Sequence, residues 1–338
     1  MERNVITFTA PGVAQLLTDT LAAPAAGQVQ VKLAVSSISS GTERANLIGD
    51  PNIAPAAGPG ISYPRVMGYS SAGTVTAVGD GVTGLQAGDR VAVIWSVHAG
   101  YINVPADYVF KLPDTVSFED AALFAISIFP LAAIRKCRLE IAESAIVMGL
   151  GVLGLMAVKL LQLGGAAPII AVDPNPDKRR LALEIGADHA LDPYDPAFAD
   201  TVRQLTGGGA KVGIEVTGIG AGLDGILDGM ARFGRVALLG CTRNKEFTID
   251  YYRKVHFPGI TLIGAHTNAR PGQESHGGWW TQRDDMEAVL RLTAMGRLHL
   301  SSLVEETHSP AEAPAVYTRL ATEPTFPLVQ FDWRRLDG

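Results

Sequence analysis

The segment "SAIVMGLGVLGLMAVKLLQLG", residues 144–164, constrains the fold of this chain more than any other. Its first residues form an apolar run of strand length, and its last residues place apolar side chains at helical spacing. Between them stands "GLGVLG", residues 149–154. Gly149 permits a tight turn, Gly151 lets backbone approach a pyrophosphate, and Gly154 lets helix and strand pack closely. The amides of Val152 and Leu153, at the start of the helix, are then offered to phosphate oxygens. A second apolar run, "PIIAVD" (168–173), ends on Asp173. Strand, glycine turn, helix and acid agree, which makes this a dinucleotide-binding unit rather than a chance glycine turn. A carboxylate at Asp173 accepts hydrogen bonds from the ribose hydroxyls of NAD and repels a 2′-phosphate. Lys178, Arg179 and Arg180 follow one helical turn later and keep NADP possible, but NAD is favoured.

The surroundings extend the pattern. "KVGIEVTG", a helix through "LDGILDGMARFG", "RVALLG" and "ITLIG" follow in turn. Strands alternating with helices imply a parallel, doubly wound sheet. Before residue 120 the texture differs: "VQVKLAVSSIS", "AGTVTAVG", "DRVAVI" and "GYINVP" are short β-type runs broken by Gly and Pro, as in a compact all-β unit. The stretch at 49–64 is too rich in Pro and Gly for helix or strand and reads as a functional loop. A helix begins at the cap-like Thr281 and stops at Gly296. The tail "PLVQFDW" reads as a last strand returning to the first domain.

The chain has 338 residues, more than one ordinary core holds. Charged residues make up 18% and the net charge is −6, with no long basic run of Lys and Arg, so no nucleic-acid footprint is expected. No signal segment and no membrane-length apolar run appears, and a cytoplasmic protein is expected. The two cysteines, Cys137 and Cys241, exclude a disulfide framework and a four-cysteine zinc lobe. Both read as small hydrophobes.

The β-rich start, "GLGVLG", "IIAVD", "GAD" (186–188) and "GRVALLG" (234–240) together resemble the medium-chain dehydrogenase/reductase superfamily over essentially the whole chain. The resemblance implies an α/β fold: a Rossmann doubly wound sheet (125–266) inserted into a β-rich GroES-like catalytic domain (1–124 and 267–338), with the active site in the cleft between. It also implies that Leu153, Thr217, Gly240, Cys241 and the turn at 263–266, including His266, approach the cofactor, and that the protein is a homodimer with "ITLIG" as a candidate edge strand. Zinc members carry Gly-His-Glu where this chain has Gly68-Tyr69-Ser70, and Cys where it has Ser40, with the third ligand near Phe124. Hydroxyls are poor zinc ligands, so a zinc-free member is expected. "ISSGTER" with "GYSSAGTV" further resembles a subgroup related to bacteriochlorophyllide dehydrogenases, from which no substrate is carried over.

Without a Lewis acid, hydride transfer to a carbonyl needs a hydrogen-bond donor for the developing oxyanion. Tyr69 is the leading candidate by the resemblance, with Thr42 beginning the proton relay; the relay's histidine corresponds to Ala45. His98 is the rival acid, or else a structural histidine. Ser40 and Ser70 line the site or fill the vacated metal position. His266 faces either substrate or a dimer interface, and His189 lies at a strand edge outside the site. Glu43 and Arg44 form an ion pair or grip a polar substrate. The expected function is NAD-dependent transfer of hydride between nicotinamide and a polar secondary alcohol or ketone. An enone or quinone reductase and a nucleotide-binding protein without turnover are the alternatives.

Overall fold

A computed structural model describes residues 1–50, 61–241 and 246–336. The loop expected at 49–64 therefore falls mostly outside the described residues. The backbone divides into two compact units, Met1–Ile126 with Met286–Gly338, and Ser127–Asp285. Residues 267–285, expected in the returning segment, pack with the second unit. Asp285 explains this: it takes ion pairs from Arg135 at 2.9 Å and Arg270 at 3.4 Å, both in that unit.

The first unit is β-rich. A long strand, Gln28–Ser37, pairs with Ser70–Val78 on one side and Val329–Asp332 on the other, within a seven-stranded sheet. The antiparallel pairing of Gln330 with Ser37 and Phe331 with Ser36 is the expected return of the C-terminal tail. A three-stranded sheet, Val13–Thr20, Glu2–Ala10 and Arg65–Val66, stands beside it. Val31, Leu33, Phe8, Tyr317 and Phe331 fill the core, each at most 1% exposed.

In the second unit six parallel strands run from His189–Leu191 at one edge through Ile169–Val172, Ala145–Met148, Ala210–Glu215 and Met230–Leu238 to Thr261–Gly264 at the other. The central strand Ala145–Met148 is completely apolar and buried, as a strand covered on both faces must be. His189 thus begins an edge strand, and "ITLIG" forms the opposite edge. The helix Gln282–Ala294 starts where expected: the Thr281 hydroxyl accepts the Asp284 amide at 3.1 Å. Among the described residues no helix is long and apolar enough to cross a membrane.

Candidate functional site

In the second unit the glycine turn links the end of Ala145–Met148 to the helix Val152–Leu163. Gly149 has φ +97°, and its amide bonds Val172 O at 2.8 Å. A Cβ on Gly154 would lie 1.9 Å from Gly149 O, so only glycine lets the helix sit this close. Gly151 differs: a Cβ there would meet nothing within 4 Å, and the residue is exposed. Nothing in the protein requires glycine at that position, which fits a backbone reserved for a ligand. The first intrahelical bond runs from Leu155 N to Gly151 O, leaving the Val152 and Leu153 amides without helical partners. Gly154→Ala should therefore displace the turn and cost about 1–3 kcal/mol through overpacking. Calorimetry should show weakened dinucleotide binding, and an undiminished affinity would refute this reading.

Asp173 stands at the expected place. Its carboxylate accepts the Leu150 amide at 2.8 Å and the Asn175 amide at 2.9 Å, so it also ties the glycine turn to the next strand. Of the three cations considered for NADP, Arg179 donates to the carbonyl oxygens of Asp173 and Pro174 and to Asp192. Arg180 pairs with Asp177 and Glu184 on the helix surface. Lys178 is half-buried on the same helix, Pro176–Glu184.

Thr217 lies in a turn organised by a residue that the sequence reading did not single out. Glu215, buried at the end of Ala210–Glu215, accepts hydrogen bonds from the Thr217 hydroxyl, the Thr217 amide and the Gly218 amide. Burial raises its pKa, and these donors oppose that shift. A lone carboxyl inside the apolar run "VGIEV" was the available signal. Gly240 passes close to this turn, its amide bonded to Glu215 O at 2.8 Å. Cys241 is exposed, whereas Cys137 is buried, with its thiol pushed up to about 12 by that burial. His266 is exposed, and its Nδ1 accepts the Asn268 amide at 3.2 Å.

In the first unit the hydroxyl cluster centres on Tyr69. The phenol, on a residue 7% exposed, donates to Ser39 Oγ at 2.6 Å, with the Thr42 hydroxyl also hydrogen-bonded to it. Burial raises the Tyr69 pKa above its ordinary value; the Ser39 and Thr42 hydroxyls pull it down, and the Glu43 carboxylate pushes it up. Ser39, the N-cap position of the helix Ser40–Ile48, thus occupies the place expected of Ser40, which is that helix's first residue. Ser70 is buried and donates to Ala122 O at 2.6 Å, and Phe124 is completely buried. Trp95, missed by sequence reasoning, has φ +59° and is 38% exposed, with its ring 5.9 Å from that of Tyr69. A bulky residue in that backbone region is strained, as functional positions often are.

His98 is sealed. Its Nδ1 lies 2.7 Å from Ser36 Oγ and its Nε2 3.1 Å from Glu43 Oε2, and the residue is 1% exposed. Gly68, at φ +115°, gives it room, since a Cβ there would meet His98 N at 2.9 Å. Tyr317 donates to Glu43 Oε2 at 2.5 Å, the Ser39 amide donates to Glu43 Oε1 at 2.8 Å, and Trp333 Nε1 donates to Ser36 Oγ at 2.9 Å. Glu43 and Arg44 therefore do not pair with each other. Arg44 donates to the carbonyl oxygens of Ala321 and Glu323, at the end of the helix Ala313–Thr322.

Residues 25–114 match the alcohol dehydrogenase GroES-like domain, and residues 152–292 match the zinc-binding dehydrogenase model. Over these two stretches the chain is similar to zinc-binding alcohol dehydrogenases. The (R,R)-butanediol dehydrogenase of Bacillus subtilis is 32% identical over 57% of this chain, and the match spans 64% of that protein's own length. The L-threonine 3-dehydrogenase of Pyrococcus horikoshii is 28% identical over 72% of this chain and 75% of its own. The crystal structure of 2R,3R-butanediol dehydrogenase from Bacillus subtilis shares the fold, with a TM-score of 0.81, 24% identity, and coverage of 98% of this chain and 99% of that one. The α/β fold, with its parallel Rossmann-like sheet and β-rich GroES-like domain, is that of these dehydrogenases.

The family match corrects one expectation. A zinc-free cofactor set does not stand against a zinc-binding dehydrogenase model covering residues 152–292. The positions that the resemblance sets against zinc ligands carry Ser40, Tyr69, Ser70 and Phe124, whose side chains do not suit the ion. Among the described residues no group of three or more His, Cys, Asp or Glu could hold a metal ion.

Proposed function

We propose that this protein is an NAD(H)-dependent oxidoreductase interconverting a polar secondary alcohol and its ketone. The observation that carries the reading is the glycine turn at 149–154 with Asp173 bonded to its Leu150 amide. Two relatives are named for butanediol and threonine, both hydroxyl-bearing molecules, which supports a polar alcohol as substrate. When bound, the nicotinamide supplies or accepts the hydride. Val152 and Leu153 offer amides to the pyrophosphate, and Asp173 holds the ribose hydroxyls.

Tyr69 is the proton donor in this reading. In the reductive direction its phenol gives a proton to the forming alkoxide, and the resulting phenolate is held by the Ser39 and Thr42 hydroxyls, the two groups that lower its pKa. Those hydroxyls also offer a route for returning the proton. Trp95, exposed beside the Tyr69 ring, would present an apolar wall to the substrate. His98, with both ring nitrogens engaged, supports Glu43 rather than the reaction. The resemblance to the bacteriochlorophyllide-dehydrogenase-related subgroup rests on "ISSGTER" and "GYSSAGTV" alone and brings no substrate. A homodimer paired through Thr261–Gly264 in the cytoplasm completes the proposal; an exposed sheet edge calls for such cover.

The test is turnover of NAD(H) and NADP(H) against vicinal diols, 3-hydroxy amino acids, polyols, their ketones, and enones. Oxidation of secondary alcohols with NAD is the expected result. Turnover of enones alone would make the protein a reductase, and NADH binding without any turnover would make it a nucleotide-binding protein. Cofactor choice is tested separately by Asp173→Ser, which should narrow the preference for NADH over NADPH, each tenfold being about 1.4 kcal/mol. Tighter binding of NADPH than NADH by the unmodified protein would sink the assignment of Asp173.

A further inference from the structure

In the second unit, away from the glycine turn, Lys136 is only 6% exposed. Its Nζ donates to Gly264 O at 3.2 Å and lies 4.7 Å from the centre of the Trp279 ring. Among the described residues no carboxylate is in ion-pair contact with it. The nearby acid, Asp285, is completely buried and already shared by Arg135 and Arg270. Arg135 in turn stacks on Trp280, with its guanidinium 3.5 Å from the ring centre. Asp284, next along the helix, is turned to Ser275 and Thr281. Three cations from two elements thus converge where one carboxylate faces them.

The donors outnumber their acceptors. The ammonium has three N–H groups, of which one meets Gly264 O. Arg270, with a side chain 8% exposed, has five, and it bonds Thr267 O, Asp285 Oδ2 and Ile128 O. Burying three cations around one carboxylate is costly: burial first, and then the charge of Arg270, lower the Lys136 pKa to about 8, against the pull of Asp285. Gly264 itself is exposed, and a Cβ there would meet nothing within 4 Å, so the site opens at the strand end.

We infer that Lys136 and Arg270, walled by Trp279, form a binding site for a phosphate-sized oxyanion, separate from the dinucleotide turn. A tetrahedral dianion suits the excess of cations better than a carboxylate does and can accept from both side chains at once. Seated there, it would tie the helix Phe124–Lys136 to the segment at 265–281 that carries His266.

Inorganic sulfate is the probe, because its charge does not change between pH 6.5 and 9. Calorimetry on the full-length protein should show saturable binding, with acetate weaker. Lys136→Met should weaken it about 10- to 100-fold, the loss of one charge-assisted hydrogen bond, and Arg270→Gln should do likewise. Should either variant fold poorly, the unmodified protein gives a second reading. Binding should weaken as pH rises through about 8, where Lys136 loses its proton; Cys137, pushed to about 12, stays protonated throughout. Absence of saturable sulfate binding, equal affinity in Lys136→Met, or binding that ignores pH between 7 and 9 would each overturn the site.

Discussion

Tyr69→Phe is expected to lower the hydride-transfer rate about 100- to 1000-fold, the cost of removing one donor to a developing oxyanion, and to leave NADH binding unchanged. The substitution deletes only the hydroxyl that donates to Ser39 Oγ at 2.6 Å, so the ring keeps its place beside Trp95. Single-turnover rates at saturating substrate separate this from a packing role, which would raise KM and spare kcat. Ser39→Ala and Thr42→Val should have smaller effects, since each removes one of two hydroxyls that stabilise the phenolate. The pH profile carries a further sign. Burial and Glu43 raise the Tyr69 pKa, so the phenol stays protonated at neutral pH and an alkaline limb near the ordinary tyrosine value should be absent. Full turnover in Tyr69→Phe would return the residue to the core and remove it from the reaction.

Glu43→Ala should lower the unfolding free energy by about 3–5 kcal/mol, as expected when one partner of a buried charged network is deleted. The carboxylate accepts from the Tyr317 hydroxyl, the Ser39 amide and, in the tautomer with Nε2 protonated, from His98; all three residues are buried. Without it, three buried donors lose their acceptor. Because the Ser39 amide belongs to the same residue whose hydroxyl receives the Tyr69 phenol, the loss also loosens the N-cap of Ser40–Ile48. Urea unfolding of the intact protein gives the measurement. Glu43→Gln, which keeps an acceptor oxygen, should fall between the two, and a shift below about 1 kcal/mol for Glu43→Ala would show the network to be incidental. His98→Ala should behave in the same way, losing stability without a selective loss of kcat.

What the sequence determined by itself is local. The turn at 149–154 was legible because one residue property, the missing Cβ, answers two neighbouring demands: the φ of +97° at Gly149 and the helix contact at Gly154. Asp173 was legible because strand length fixes where its carboxylate ends up, next to the Leu150 amide. Alternation of strands and helices gave the parallel sheet for the same reason, since periodicity is read over a handful of residues. The hydroxyl cluster obeyed no such rule. Ser39 rather than Ser40 meets Tyr69, because the helix begins at Ser40 and a one-residue shift turns a side chain to another face. Glu43 could not be told apart as a substrate contact or a buried anion, since its partner Tyr317 lies 274 residues away. Arg44 likewise found its acceptors on a helix that only the returning strand brings near. Packing of the C-terminal segment against the first strands decided the last two, because polar groups taken out of water bond whatever partners that packing brings to them.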